Sequence, residues 1–211
     1  MTAHRIIKSL VNRGNAVLGV GCYSAAMACQ SNSQKIIKVG TDMEDPWLDY
    51  YYEIVKPMQG NPFIPKVYSF YHDEANEYFI CQMERLISIK DIHSAKTTES
   101  AKEVTSAIKQ WIQADIDDSE FEEVCKINWR VINPTEIPQL MAIIRQIQEF
   151  TDVMYEDDIE MPDCARRLDL HSGNIMFRDS ATPVIIDPWC HNVMDDVSDL
   201  TQWAETCNLE W

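Results

Sequence analysis

The apolar residues of this chain change period near residue 86, and that change constrains the fold more than any single motif. Before it, apolar residues come in short runs broken by turn formers. Ala16-Val17-Leu18 leads into Gly19-Val20-Gly21, the small-residue stretch from Ser24 to Cys29 follows, and Lys35-Ile36-Ile37-Lys38-Val39 comes after the polar turn from Gln30 to Ser33. Val67 to Tyr71 and Tyr78 to Met83 repeat the pattern on either side of the turn-forming segment His72 to Asn76. Such runs read as antiparallel strands joined by tight turns. One interruption is helical: Pro46 can open a helix in which Trp47, Tyr51, Ile54 and Val55 share a face until Pro57 stops it.

Beyond residue 86 the period is that of helices. Ser100 and Glu103 form a capping-box pattern ahead of Val104, Ile108, Trp111 and Ile112. A second helix should hold Phe121, Val124 and Cys125; a third, opening near Pro138, lines up Leu140, Ile143, Ile144, Ile147, Phe150 and Met154. After the acidic stretch Glu156-Asp157-Asp158, two apolar segments, Ile175-Met176-Phe177 and Val184-Ile185-Ile186, flank a turn from Asp179 to Pro183 and read as a hairpin. The expected fold class is therefore α+β, with a small β-rich N-lobe over residues 1–86 and a helical C-lobe over 87–211 that carries the hairpin. The 211 residues suit a single domain of two lobes.

Charge limits the partners. The chain has 18 Lys and Arg against 34 Asp and Glu, a formal charge of −16. So acidic a surface argues against nucleic acid and against anionic membrane, because both carry the same sign. Any phosphate must be held by a few placed groups, backbone amides or a metal ion. No apolar run approaches the roughly 20 residues of a spanning helix, and the basic opening MTAHRIIKSLVNRG has no apolar core of a leader. The 7 cysteines are odd in number and form no C-x-x-C, which fits small buried thiols in a reducing cytoplasm.

Three features carry chemistry. The densest is Asp169-Leu170-His171-Ser172-Gly173-Asn174, followed by the hairpin and Asp187. Two carboxylates and an amide flank that hairpin and can converge at one end of it. A carboxylate and an amide oxygen, Asp187 and Asn174, suit magnesium, a hard cation that prefers oxygen. Asp169 is then free to accept a proton or orient a hydroxyl. The second is Gly19-Val20-Gly21-Cys22-Tyr23-Ser24, where two of only 6 glycines suggest a backbone that approaches something closely. With Asp42 downstream it could pass for a dinucleotide fingerprint, but the polar turn and strand that follow fit a hairpin better. The third is Lys38, a cation between apolar neighbours on a strand. Alone it fits a solvent-facing lysine; one hairpin after the glycine turn, it could reach phosphates beneath that turn.

Glycine turn, strand lysine, Asp–Asn pair and strand-end Asp occur in the order of the protein-kinase signature, and the chain resembles that superfamily. Its phrases Ile37-Lys38-Val39-Gly40, Ile64-Pro65 with Val67-Tyr68, and His171-Ser172-Gly173-Asn174-Ile175-Met176-Phe177 with Asp187-Pro188 are most similar to the serine/threonine protein kinases of T-seven-like bacteriophages. The resemblance implies a kinase-like two-lobed fold and an ATP- and Mg2+-dependent enzyme acting on host proteins in the bacterial cytoplasm, and on itself. Gly19 to Ser24 would cover the triphosphate and Lys38 would hold its α- and β-phosphates. Asn174 and Asp187 would carry the metal. Asp169 would take or orient the acceptor hydroxyl, with His171 in place of the usual catalytic-loop lysine. Glu84 and Leu86 would offer backbone hydrogen bonds to adenine.

The departures are informative. Asp-Phe-Gly becomes Asp187-Pro188-Trp189, and the usual His-Arg ahead of the catalytic Asp becomes Arg167-Leu168. The helix carboxylate that should pair with Lys38 falls among Asp49 and Glu53. So little chain follows Asp187 that an Ala-Pro-Glu motif and a large peptide-docking subdomain are expected to be missing. Two other readings stand beside the protein kinase. Aminoglycoside and choline kinases also use Asp-x-His-x-x-Asn, which suggests a small-molecule phosphotransferase. A pseudokinase that binds a host factor would fit the altered Asp-Pro-Trp.

Overall fold

The computed structural model describes residues 2–40, 45–113, 116–128, 132–157, 166–171, 173–179 and 182–191, without the side chains of 152–157, 166–167 and 191. It is α+β. The chain divides into two compact units, whose described parts fall within 2–48 and 66–85 for the first and within 49–65 and 86–191 for the second.

The first unit is built on a five-stranded antiparallel sheet of β1 (Val17–Val20), β2 (Ser24–Ala28), β3 (Lys35–Gly40), β4 (Val67–Asp73) and β5 (Tyr78–Glu84), in the order β1-β2-β3-β5-β4. Alternation along each strand gives the sheet two apolar faces. One is covered by α1 (Ala3–Asn12), whose Ala3, Ile6 and Ile7 are buried against Ala25, Met27, Val39 and Tyr78. This helix corrects the sequence reading, which treats the first third as strands and assigns residues 1–14 no element. The signal is present in the chain: Ala3, Ile6, Ile7, Leu10 and Val11 recur at helical spacing, while Arg5 and Lys8 stay exposed. The opposite face receives Trp47, from the start of α2 (Pro46–Asp49), which stacks on Phe79 at 5.1 Å between centroids and 15° between planes. Pro46 opens α2 as expected, and the Trp47 N–H is capped by the Asp45 carboxylate at 2.9 Å.

The second unit begins inside the same helical segment, where α2 loosens into a π-helix over Tyr50–Val55. It continues with α3 (Ala95–Ile112), α4 (Asp118–Ile127) and α5 (Ile137–Asp157). Helix α3 starts a turn and a half before the expected cap: the Ser94 hydroxyl accepts from the Thr97 N–H, and Ser100 lies inside the helix. The first turns of α3 are exposed and polar, so no apolar period marks them in the sequence. Phe121 and Cys125 of α4 are buried, and Phe121 stacks on Trp111 at 4.6 Å. Leu140, Ile143, Ile144 and Ile147 of α5 are buried as the spacing predicts, and the side chain of Met154 lies outside the described residues.

Two short ladders complete this unit. β7 (Ile175–Arg178) and β8 (Thr182–Ile185) form the expected hairpin, with Ile175 opposite Ile185. β6 (Arg166–Leu168) and β9 (Trp189–His191) pair antiparallel with Leu168 opposite Trp189, a ladder of three residues a side that is too short to show a period. Of the cysteines, Cys29, Cys81 and Cys125 are buried and Cys22 is exposed, while Cys164 and Cys207 lie outside the described residues. No described helix is long and apolar enough to cross a membrane.

Candidate active site

Asp169, His171 and Asn174 are linked through their own backbone. The N–H of His171 donates to the Asp169 carbonyl at 3.1 Å and the N–H of Asn174 donates to that of His171 at 2.9 Å, so the segment folds back on itself between β6 and β7. Asn174 then directs its amide nitrogen at Asp169, donating to the carbonyl at 2.6 Å and to Oδ2 at 3.3 Å. With the nitrogen committed there, the amide oxygen is the atom left to meet a cation.

His171 is placed by Gly173. Its Nδ1 accepts the Gly173 N–H at 2.9 Å, which assigns the neutral ring's proton to Nε2. Nε2 lies 3.7 Å from Asp169 Oδ2, too long for a direct hydrogen bond but close enough for a charge to be felt. Gly173 permits this approach, because a Cβ there would stand 2.7 Å from His171 Cε1. Asp169 and Asn174 are half-buried and His171 is exposed, so a proton acceptor is offered at the surface rather than sealed in the core.

Asp187 arrives from the other side of the hairpin. The Ile186 N–H donates to the Asn174 carbonyl at 2.9 Å, and the Asp169 N–H donates to the Pro188 carbonyl at 2.8 Å. These bonds bring the Asp169, Asn174 and Asp187 segments to one end of the β7–β8 hairpin. Tyr50 lies beside them, fully buried, with its hydroxyl donating to the Ile185 carbonyl at 2.6 Å. Burial, and then the charge of Asp187, raises its phenol well above the ordinary value, so it stays a donor at any working pH. Tyr50 escapes a sequence reading because its partner is distant in the chain.

The other expected residues, apart from Leu86, belong to the first unit. The β1–β2 turn is closed by Gly21 N–H to the Ser24 carbonyl at 2.8 Å, so that amide is already used; Val20 sits opposite Ala25, and Cys22 is exposed. The chain itself does not require glycine at Gly19 or Gly21. Neither has positive φ, a Cβ at Gly19 would meet nothing within 4 Å, and one at Gly21 would meet only the Ser24 carbonyl at 3.7 Å. Open space over a glycine strand is what a closely approaching ligand needs. Lys38 lies opposite Ala26 and Cys81 in the sheet, with its ammonium over the Trp47 ring at 4.7 Å from the centroid. A cation over an indole face is attracted by the ring quadrupole.

Glu84 has a structural part that the sequence does not show. It is buried; its carboxylate accepts the Lys66 N–H at 2.8 Å, and its own N–H donates to the Lys66 carbonyl at 3.0 Å. Its backbone N–H is thus spent within the sheet. No hydrogen bond involves Leu86 among the described residues, so its N–H remains available. Among the described residues no three His, Cys, Asp or Glu side chains cluster as a metal site. Asn174 and Asp187 nonetheless fit magnesium, which binds through one or two protein oxygens and takes the rest from water and phosphate.

The class these features define is that of the kinase-like phosphotransferases. The sequence profile described as "Bacteriophage T7 protein kinase 0.7" matches residues 3–202, and the chain belongs to that family. No curated protein sequence matches it significantly. Among solved structures it is similar to aminoglycoside phosphotransferase APH(4)-Ia, with 16% identity over 91% of this chain and 74% of that one and a TM-score of 0.40. An ADP-bound aminoglycoside phosphotransferase, APH(2'')-Ib, gives 17% identity over 88% and 71%, with a TM-score of 0.36.

Proposed function

We propose that this protein is an ATP- and magnesium-dependent serine/threonine protein kinase of phage type, acting on host proteins and on itself in the host cytoplasm. The observation that carries the reading is the hydrogen bonding of Asn174 to Asp169, which aims an amide oxygen and a carboxylate in fixed directions beside the Asp187 segment. Family membership supplies the reaction class.

In this reading the open glycine turn from Gly19 to Ser24 lies over the triphosphate, with the exception of the Gly21 amide, and Lys38 holds the α- and β-phosphates. The Glu84 carbonyl and the Leu86 N–H hold adenine. Asn174 and Asp187 hold the metal, which when bound neutralises charge on the phosphates. Asp169 accepts or orients the proton of the acceptor hydroxyl. His171, with its proton on Nε2, can donate toward a phosphate oxygen near Asp169. The protein has little covalent chemistry to perform, so its rate comes from positioning and charge neutralisation.

A second reading, phosphoryl transfer to a small cationic amine alcohol, is favoured by the Asp169-x-His171-x-x-Asn174 spacing and the charge of −16. Labelled ATP with magnesium separates the two, using wild type and Asp169→Asn with and without bacterial lysate. Label on the protein or on lysate proteins, lost in the variant, supports the protein kinase. Label passing only to an aminoglycoside favours the second reading, and nucleotide binding without any transfer refutes both.

A further inference from the structure

The segment Ile185 to Trp189, which carries Asp187, is tied by backbone hydrogen bonds on both sides of that residue. The Ile185 N–H donates to the Phe63 carbonyl at 3.0 Å, Ile186 N–H to Asn174, and the Pro188 carbonyl accepts from Asp169. Two further anchors come from outside the hairpin. The Tyr50 hydroxyl holds the Ile185 carbonyl, two residues before Asp187, at 2.6 Å. Trp189, two residues after it and only 2% exposed, lies against Phe150 at 4.9 Å between centroids and meets Tyr50 edge-on at 5.8 Å and 83°.

Polar bookkeeping at Trp189 closes completely. Its indole Nε1–H donates to Thr151 Oγ1 at 2.9 Å, and the Thr151 hydroxyl sends its own proton to the Ile147 carbonyl at 2.6 Å in the preceding turn of α5. An indole N–H and a hydroxyl in so buried a place would each be costly unpaired, so this pairing selects one orientation of the Trp189 ring. Tyr50 opens the π-helix, a widened turn that shifts side-chain direction relative to an α-helix and often marks functional positions.

We infer that Tyr50, Trp189 and Thr151 form a clamp that fixes the direction of Asp187 toward a bound metal. Tyr50 and Thr151 are positioning residues: they act through Ile185 and Trp189. This inference rests on Asp187 as a metal ligand, and its experiment keeps the two claims apart.

The test uses Tyr50→Phe and Thr151→Val, which remove one hydroxyl each while keeping size, with Asp187→Asn as reference. Binding of ADP is measured by calorimetry with magnesium and with EDTA, and hydrogen exchange is followed at the Ile185 and Ile186 amides, which are hydrogen-bonded. Loss of such a supporting bond should weaken magnesium-dependent ADP binding about tenfold. Metal-free binding should stay near wild type, and the two amides should exchange faster. Wild-type metal dependence and exchange in both variants, even with a lowered melting point, would make the bonds merely structural and overturn the clamp. If wild type shows no metal effect and Asp187→Asn is silent, the metal role of Asp187 falls, and the inference with it.

Discussion

Phe79 fills the space in which a side chain on Gly40 would stand: a Cβ there would lie 1.9 Å from Phe79 Cε1. The two residues are paired across β3 and β5, and Phe79 is held from the other side by Trp47, the same ring that lies under the Lys38 ammonium. Gly40→Ala must therefore displace a fully buried ring. The expected loss of stability is about 1–3 kcal/mol, the usual cost of overpacking. Urea unfolding of the variant measures it, and an unchanged midpoint would show that the ring can move freely.

Gly19 predicts the opposite behaviour. Because an added methyl meets no atom of the chain within 4 Å, Gly19→Ala should leave stability within about 0.5 kcal/mol of wild type. It should still weaken ATP binding if the turn lies over the triphosphate as proposed, because the methyl would fill the open space above Gly19. A melting curve and a nucleotide titration on the same sample decide the matter. Unchanged ATP affinity would mean that the glycine turn does not approach the nucleotide.

Gly173→Ala tests the placement of His171. The methyl would collide with the imidazole at 2.7 Å and drive the ring off the Gly173 N–H. His171 is exposed, so the ring can swing into solvent at little cost, with stability changing by less than about 0.5 kcal/mol. The turnover number should drop to that of His171→Ala. A Gly173→Ala enzyme with wild-type kcat would deny the ring its assigned place in the reaction.

Two thiols set an alkaline limit. Burial pushes both Cys81 and Cys125 from the ordinary value of 9.0 up to about 12, against a smaller opposing pull from Lys38 on Cys81 and with added repulsion from Glu122 on Cys125. Above pH 9.0 the unfolded chain releases these protons while the folded one retains them, so stability is full below that pH and falls as pH rises. The slope is at most about 1.4 kcal/mol per pH unit for each thiol. Urea midpoints should stay level from pH 7 to 9 and decline from pH 9 to 10 for wild type, and the decline should flatten for C81A/C125A. Parallel curves for the two proteins would assign the alkaline loss to other groups.

The strands of the first unit were legible because hairpin alternation and turn residues are local. Lys35 to Val39, Val67 to Tyr71 and Tyr78 to Met83 lie in β3, β4 and β5 as read. The period of helix α1 is present in Ile6, Ile7, Leu10 and Val11, interleaved with the basic residues Arg5, Lys8 and Arg13. The start of α3 was not legible, since an exposed polar first turn has no apolar stripe, and Ser100 offers a cap pattern that the structure does not use. Glu84 shows the same gap at the site: its carboxylate stitches Lys66 into the sheet, a bond between residues that only strand pairing brings together.

Local sequence pattern suffices for most of the long elements and for the grouping of Asp169, His171 and Asn174. Those residues lie within one turn of chain, and their hydrogen bonds close over a few backbone torsions. Within each unit, packing set what no local pattern shows: Tyr50 on the Ile185 carbonyl and Trp189 on Thr151 in the second, Trp47 beneath Lys38 and Phe79 in the hollow of Gly40 in the first. Several of these contacts join residues far apart in the chain, and all depend on register and on complementary shape, which packing settles collectively and no local pattern encodes.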